Sequence, residues 1–340
     1  MKLGEIYKLG INFGIRNDFR GEAAVKKQLQ RTRKEYESLR ESEREFFDTD
    51  LLENPYPDTR LNTGDPGREI KKALAGIDAD SGEALLADRL GVDLLISHHP
   101  QGKSFAELDE QMHLQTALLH QIGIPINIAE GLMESRIGEV ERRLHPVNHY
   151  QTVDAAKLLN MAMLTTHTIC DNAAAMFVQK LMDKQKPETL GEILELLMDV
   201  PEYRIGRKNG AGPTLFTGGR HNSAGKIVVT EFTGGTEGSK VVYERLAHAG
   251  IGTVLSMHAS EEHRKEAERN HINLVIAGHM SSDSLGMNLF LDELEKRGVE
   301  IIAAAGLIRV SRNKPASRTS RPAATRKPQR ATSQPRSRRK

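Results

Sequence analysis

The sequence has a single cysteine, Cys170, in 340 residues. That excludes an internal disulfide framework and fits a reducing cytoplasm. It also lacks any apolar run approaching the roughly 20 residues that a bilayer-spanning helix needs. The opening stretch, Met1 to Arg16, is amphipathic and has no unbroken apolar centre of the kind a signal peptide carries. The expectation is a cytoplasmic protein with no membrane contact. No Ser-His-Asp arrangement with a nucleophile elbow is present, and Cys170 reads as a small buried residue rather than a nucleophile.

Acidic residues are missing from one region only. Residues 311–340 contain no acid, no aromatic and no large apolar residue, but they hold eleven of the 48 Lys and Arg. The remainder, 1–310, carries 37 basic against 46 acidic residues, a net of −9. The body is therefore acidic, and the formal +2 of the whole chain comes from the tail. A segment of Pro, Ser, Thr, Ala and Arg cannot bury enough to offset the entropy of ordering, so 311–340 is expected to be a disordered basic tail. Two readings of it stand: weak nucleic-acid contact by counterion release, or a solvated tail without a partner. The lack of aromatics argues against tight single-strand binding.

The body divides into three stretches. Residues 1–60 form a helical N-terminal segment, with helix-like spacing over 4–16 and a densely charged helix-former over 21–47 that belongs on a surface or against a neighbouring subunit. Turn chemistry at Asn54-Pro55-Tyr56-Pro57-Asp58 and Gly64-Asp65-Pro66-Gly67 suggests a hinge into the core. Residues 61–205 read as a first α/β lobe: strands over 70–77, 93–97 and 124–128, helices over 81–90, 106–122 and 129–144, and mostly helix formers over 152–184. Residues 206–310 read as a second lobe, opening on the glycines of 206–212. Strands are expected there over 226–232, 253–257, 273–277 and 300–305, with helices over 241–249, 261–269 and 289–297. Such βαβ rhythm implies mostly parallel strands with right-handed crossovers.

Three groups carry chemistry. Asp93-Leu94-Leu95-Ile96-Ser97 leads into His98-His99-Pro100, a buried strand running into two imidazoles at the carboxyl edge where α/β sheets bind ligands. His167-Thr168-Ile169-Cys170-Asp171-Asn172 and Gly278-His279-x-x-x-Asp283 each set a His and an Asp four apart, on one face of a helical turn. Singly, each is equally a surface hydrogen bond or a packing accident. Together they suit a two-metal site, and the imidazole-carboxylate mixture favours Zn, Mn, Fe or Ni over Ca or Mg.

These three stretches, with Thr233-Gly234-Gly235-Thr236-Glu237-Gly238, resemble the Nif-three-like dinuclear-metal family, also labelled GTP cyclohydrolase I type 2 homologues. The resemblance spans about 70–310. It implies a two-lobed α/β fold, a ring-shaped homohexamer and two divalent transition-metal ions per subunit. The ligands it implies are His98, His99, Asp171, His279 and Asp283, with Asp283 bridging and His167 either a further ligand or orienting Asp171. Many family members carry Glu at the bridging position, one methylene longer than Asp283. The charged segment at 21–55 and the length between His99 and His167 also depart from the pattern. The implied function is metal-dependent hydrolysis of a nucleotide-like or phosphate-bearing substrate; the alternative is a non-catalytic, metal-binding regulatory scaffold.

Other features allow two readings. The stretch 234–240 could bring N–H groups to a phosphate, but it is not a Walker A loop, and a plain strand-to-helix turn serves as well. His145 and His149 read as loop residues approaching the site. His258 and His263 either line its cavity or serve as helix caps.

Overall fold

The computed structural model describes residues 1–313, so the tail expected over 311–340 lies outside the described residues from Lys314 onward. Among the described residues, nine strands form two sheets. The first is ordered β1-β4-β3-β2-β9, with β1 at Thr59–Thr63, β2 at Lys72–Gly76, β3 at Leu94–Ser97, β4 at Ala162–Thr166 and β9 at Glu300–Ala303. The second is ordered β5-β8-β7-β6, with β5 at Thr214–Thr217, β6 at Lys226–Val229, β7 at Ile251–Ser256 and β8 at Asn273–Ile276. Only β1 and β5 pair antiparallel; every other pairing is parallel. The fold is thus α/β, two-lobed and mostly parallel.

Helix α1 (Leu3–Arg16) buries Leu3, Ile6 and Phe13 beneath the first sheet, whereas α2 (Glu22–Ser38) buries only Val25 and lies on the surface. Helix α3 (Ser81–Arg89), capped by Asp80, returns β2 to β3. Next, α4 (His113–Ile122) and α5 (Ile126–Leu144) leave the first sheet and pack Leu119, Met133 and Ile137 against Val254 and Leu274 of the second. Helix α6 (Gln151–Leu158) leads into β4, and α7 (His167–Gln185) runs from β4 between the lobes. Helices α8 (Leu190–Met198) and α9 (Pro201–Lys208) cover the second sheet with Ile193 and Tyr203. After α10 (Tyr243–His248) and α11 (Glu261–Arg269), α12 (His279–Glu295) carries the chain back to β9. The lobes therefore exchange elements: 113–144 serves the second sheet, and β9 completes the first.

The first sheet is covered on both faces. Ala73, Ala75, Leu94, Ile96 and Leu164 face α1, α7 and α12, while Leu74, Leu95 and Met163 face α3 and α6. Burial on both faces explains why β3 reads as an unbroken apolar run. Burying one such side chain contributes about 1.5–3 kcal/mol.

Several local expectations are corrected. The strand expected over 124–128 is the start of α5, because Pro125 occupies its N-cap and supplies a helical first turn. The stretch 152–184, read as mostly helix formers, also contains β4, whose Ala, Met and Leu residues suit either state. Strands β1 and β5 carry little apolar signal because they are edge strands with one exposed side. The supposed hinge at 54–58 is fully buried: Asn54 Nδ2 donates to Tyr56 O at 3.0 Å and Thr59 O at 2.7 Å, and the Tyr56 hydroxyl donates to Asp18 Oδ2 at 2.9 Å.

Candidate metal centre

Three strand ends from both sheets meet at one place. Beyond β3 the ladder continues for two residues, with His98 N–H donating to Gly76 O at 2.9 Å and His99 N–H to Ile77 O at 3.0 Å. Both imidazoles are therefore fixed at the carboxyl edge of the first sheet. Strand β4 runs directly into α7, whose first turn holds His167 Nε2 3.7 Å from Asp171 Oδ2. From the second sheet, Gly278 (φ +110°) turns the chain off β8 into α12, and His279 Nε2 lies 3.4 Å from Asp283 Oδ2. Helices α7 and α12 touch at Gly286, where an added Cβ would sit 2.2 Å from Cys170 O. A glycine here lets the two helix starts converge.

His98 Nε2 is 3.2 Å from Asp171 Oδ1 and 3.7 Å from Asp283 Oδ1, and His99 Nε2 is 3.5 Å from Asp283 Oδ2. All six sequence-predicted residues fall into three overlapping groups: His98 with Asp171 and Asp283, His99 with His279 and Asp283, and His98 with His99 and His167. Within each group the donor atoms lie within 4.8 Å of one another. The centre is dry at one end and open at the other, since the His98 side chain is 0 % exposed and that of His279 is 41 % exposed.

Among the described residues, five buried polar atoms of this cluster lack hydrogen-bond partners. Both oxygens of Asp283, Oδ1 of Asp171 and both ring nitrogens of His98 are buried without a hydrogen bond. Buried charge is costly unless paired, so these atoms call for a cation. In the metal-free chain the protons respond instead. Burial alone would lower His98, but the carboxylates of Asp283 and Asp171 outweigh it and raise it well above its ordinary value. Burial would raise Asp283, but His98, His99 and His279 outweigh it and keep the carboxyl ionised. His279 is pushed down by burial against the opposing pull of Asp283, which favours the neutral ring with one nitrogen lone pair available to a metal. The donor set thus fits transition-metal ions, and these buried His/Asp groups could hold them.

Two further carboxylates, not singled out from sequence, hold rings from outside. Asp58, fully buried at the head of β1, accepts from His167 Nδ1 at 2.8 Å and from Thr168 Oγ1 at 2.7 Å. Asp78 pairs with His99 Nδ1 at 2.6 Å. A carboxylate accepts only, so each ring donates through Nδ1 and presents Nε2 to the cluster, the arrangement that fixes tautomer and basicity in metal sites. No sequence signal marks either residue; each reaches its histidine only through sheet pairing.

A search of solved structures places this architecture. The chain superposes on the crystal structure of a NIF3 superfamily protein from Sphaerobacter thermophilus with a TM-score of 0.66 and 27 % identity, covering 74 % of this chain and 92 % of that one. The chain carries the NIF3-superfamily fold. Weaker likenesses are to reduced HcgD from Methanocaldococcus jannaschii (TM-score 0.45, 18 % identity, covering 72 % of this chain and 87 % of that one). TTHA1606 from Thermus thermophilus follows (TM-score 0.41, 14 % identity, 74 % and 86 %). No family model and no curated protein sequence matches.

Around this His/Asp cluster the remaining candidates separate. His258 stacks on His279 with ring centroids 4.8 Å apart and lines the cavity. His263 lies in the first turn of α11, where Ser260 caps the helix; its Nδ1 is 2.7 Å from Ser260 Oγ and its ring packs on Tyr243. His149 stacks edge-on against Phe105, and neither it nor His145 belongs to the His/Asp groups found among the described residues. Cys170 is buried, its thiol 3.6 Å from Met287 Sδ, as a packing residue would be. No helix of the described residues is long and apolar enough to cross a membrane.

Proposed function

We propose that the cluster binds two divalent transition-metal ions with Asp283 shared between them, and that the chain is a metal-dependent hydrolase acting on a phosphate-bearing or nucleotide-like substrate. The observation that carries the reading is Asp283, which is 1 % exposed, has no hydrogen-bond partner on either oxygen, and is approached by His98, His99 and His279. One of its oxygens belongs with His98 and Asp171, and it is also grouped with His99 and His279. That division supports a bridging role.

When bound, such a pair of ions supplies Lewis-acid polarisation of a phosphoryl or carbonyl oxygen and makes water a nucleophile near neutral pH. The chain's own part is to fix the donors. Asp58 and Asp78 hold the His167 and His99 rings through Nδ1, the extended β3 ladder holds His98, and burial of Asp171 and Asp283 excludes competing water. His258 and His279 sit at the open side, where a substrate would enter.

Elemental analysis of gently purified protein tests the binding half of this reading. Roughly two equivalents of transition metal per chain are expected, falling to near none when His98→Ala and His279→Ala are combined; a metal-free wild type under reconstitution refutes it. The hydrolase half rests on turnover of a nucleotide and phosphoester panel by loaded protein. Activity lost in His98→Ala supports it, and a loaded protein inert across the panel leaves the scaffold.

A further inference from the structure

Facing the His/Asp cluster is the loop 231–238, Glu231-Phe232-Thr233-Gly234-Gly235-Thr236-Glu237-Gly238, which follows β6. Thr233, Gly235 and Thr236 line a narrow slot together with Asp171, His279 and Asp283. The loop is tied down by its carbonyls. Gln115 of α4, 4 % exposed, donates through Nε2 to Gly234 O at 2.9 Å and Thr236 O at 2.6 Å, and Arg136 of α5 donates to Glu237 O at 2.9 Å. Thr233 Oγ1 donates to Asn172 Oδ1 at 2.7 Å, securing the loop next to Asp171.

In a trans peptide the C=O of one residue and the N–H of the next point in opposite directions, and the described chain has no cis bond. With the Gly234 and Thr236 carbonyls turned onto Gln115, the amides of Gly235 and Glu237 must point away from it. Gly234 (φ +95°) and Gly235 (φ +86°) allow that turn. A Cβ at Gly235 would also lie 2.9 Å from Leu108 O. Within the described residues, none of the amides from Phe232 to Glu237 donates a hydrogen bond, although Phe232, Thr233 and Gly234 are buried. Buried amides are nearly always paired. A run of donors with its carbonyls drawn off to the other side is an anion-binding concavity. Asp283, buried and unpartnered on both oxygens, faces the same slot.

We infer that the loop 231–238 cradles an anionic group of the substrate, a phosphoryl or carboxyl group, across the slot from the His/Asp cluster. This rests on the metal-binding reading: two divalent ions against the three carboxylates that line the slot, Asp171, Asp283 and Glu231, still leave a net positive charge, and without the ions an anion there is repelled. Among the described residues no lysine or arginine lines the slot, so within them recognition falls to backbone donors and bound cations. Gln115 is a positioning residue that sets the direction of the donors without touching the anion.

The probe is inorganic phosphate, with acetate as the carboxylate arm, applied to the full chain in metal-loaded and metal-free forms. Metal content is measured alongside. Hydrogen–deuterium exchange of the peptide spanning 231–238 in loaded wild type should slow at least tenfold with saturating phosphate, and calorimetric phosphate affinity should fall at least tenfold in Gln115→Leu at unchanged metal content. Exchange that does not respond to either anion, or an affinity within twofold of wild type in a folded, loaded Gln115→Leu, overturns the cradle. If Gln115→Leu fails to fold, the wild-type exchange result alone decides. The two readings fail distinguishably: bound metal without protection overturns the cradle and keeps the metal centre, whereas a chain that takes up no metal and shows no protection overturns both.

Discussion

Helix α12 carries two buried carboxylates that the chain treats in opposite ways. Asp283, near its start, has both oxygens without a hydrogen-bond partner among the described residues, and three imidazoles and the Asp171 carboxylate lie around it. Asp292, near its end and 4 % exposed, accepts from Arg309 at 2.6 Å through one oxygen and from the Arg312 amide at 2.9 Å through the other. Beside it the fully buried Glu202 receives both nitrogens of the Arg312 fork and the amide of Asn288. The cost of burying a carboxylate is the same in both places. Near the C-terminus the protein supplies the cations itself, and the result is a clamp that fastens residues 309–313. At the strand ends it supplies only titratable rings, and the balance is left to an external cation or to protons.

That contrast gives unequal costs for two substitutions, and this is the largest effect expected. Arg312→Ala strands Glu202 without its fork and should destabilise the protein by about 3 kcal/mol in urea unfolding. Asp283→Asn, compared in metal-free protein near neutral pH, should cost less, on the order of 1 kcal/mol, because His98 can give up its proton once the carboxylate that raised it is gone. Equal losses in both would erase the distinction between structural and ligand-seeking charge. A second result sharpens it: excess metal should stabilise wild type by about 3 kcal/mol at one hundred times Kd and leave Asp283→Asn where it was.

Within the centre the same contrast recurs on a smaller scale. Asp58 and Asp78 make the same bond to a histidine Nδ1, but Asp58 is fully buried, whereas the Asp78 side chain is 71 % exposed. Asp58→Asn should lower metal affinity about 10–100-fold, the range for groups that orient a ligand. Asp78→Asn should cost less, because water can replace an exposed acceptor. Competition with a chromophoric chelator measures both. Loss of metal affinity in Asp78→Asn that equals or exceeds the loss in Asp58→Asn would mean that burial does not set the strength of these outer bonds.

The legible part of this centre was the part coded locally. His98-His99 terminates an apolar strand, and His167 with Asp171 and His279 with Asp283 are one-turn pairs at helix starts; the six lie in overlapping His/Asp groups. Asp58 and Asp78 were not legible, because each meets its histidine only after distant strands pair: β1 with β4, through Thr59 opposite Thr166, and β2 with β3. The lobes were legible as βαβ rhythm, but not the exchange between them. That α4 and α5 would cross to the second sheet, and β9 return to the first, depends on which apolar faces remain uncovered after folding. Strand β4 was hidden because Ala-Met-Leu-Thr-Thr, set among helix formers, becomes a strand only by lying between β3 and β1.

The smallest expected effect separates the loop from the cluster it faces. Burial pushes the Glu231 carboxyl up to about 7, against the opposing bond from the Gly238 amide. A carboxyl raised in the folded state favours folding at pH values below its unfolded pKa, near 4.5, and loses that contribution as pH rises through the folded value. Metal-free wild type should therefore lose stability between about pH 4.5 and 7 relative to Glu231→Gln, by on the order of 1 kcal/mol because the side chain is partly exposed. Unfolding midpoints of the two proteins taken across that window measure the difference. Parallel profiles would assign the pH dependence of the metal-free protein to the His/Asp cluster alone, and Glu231 would then be only the acceptor that closes its loop.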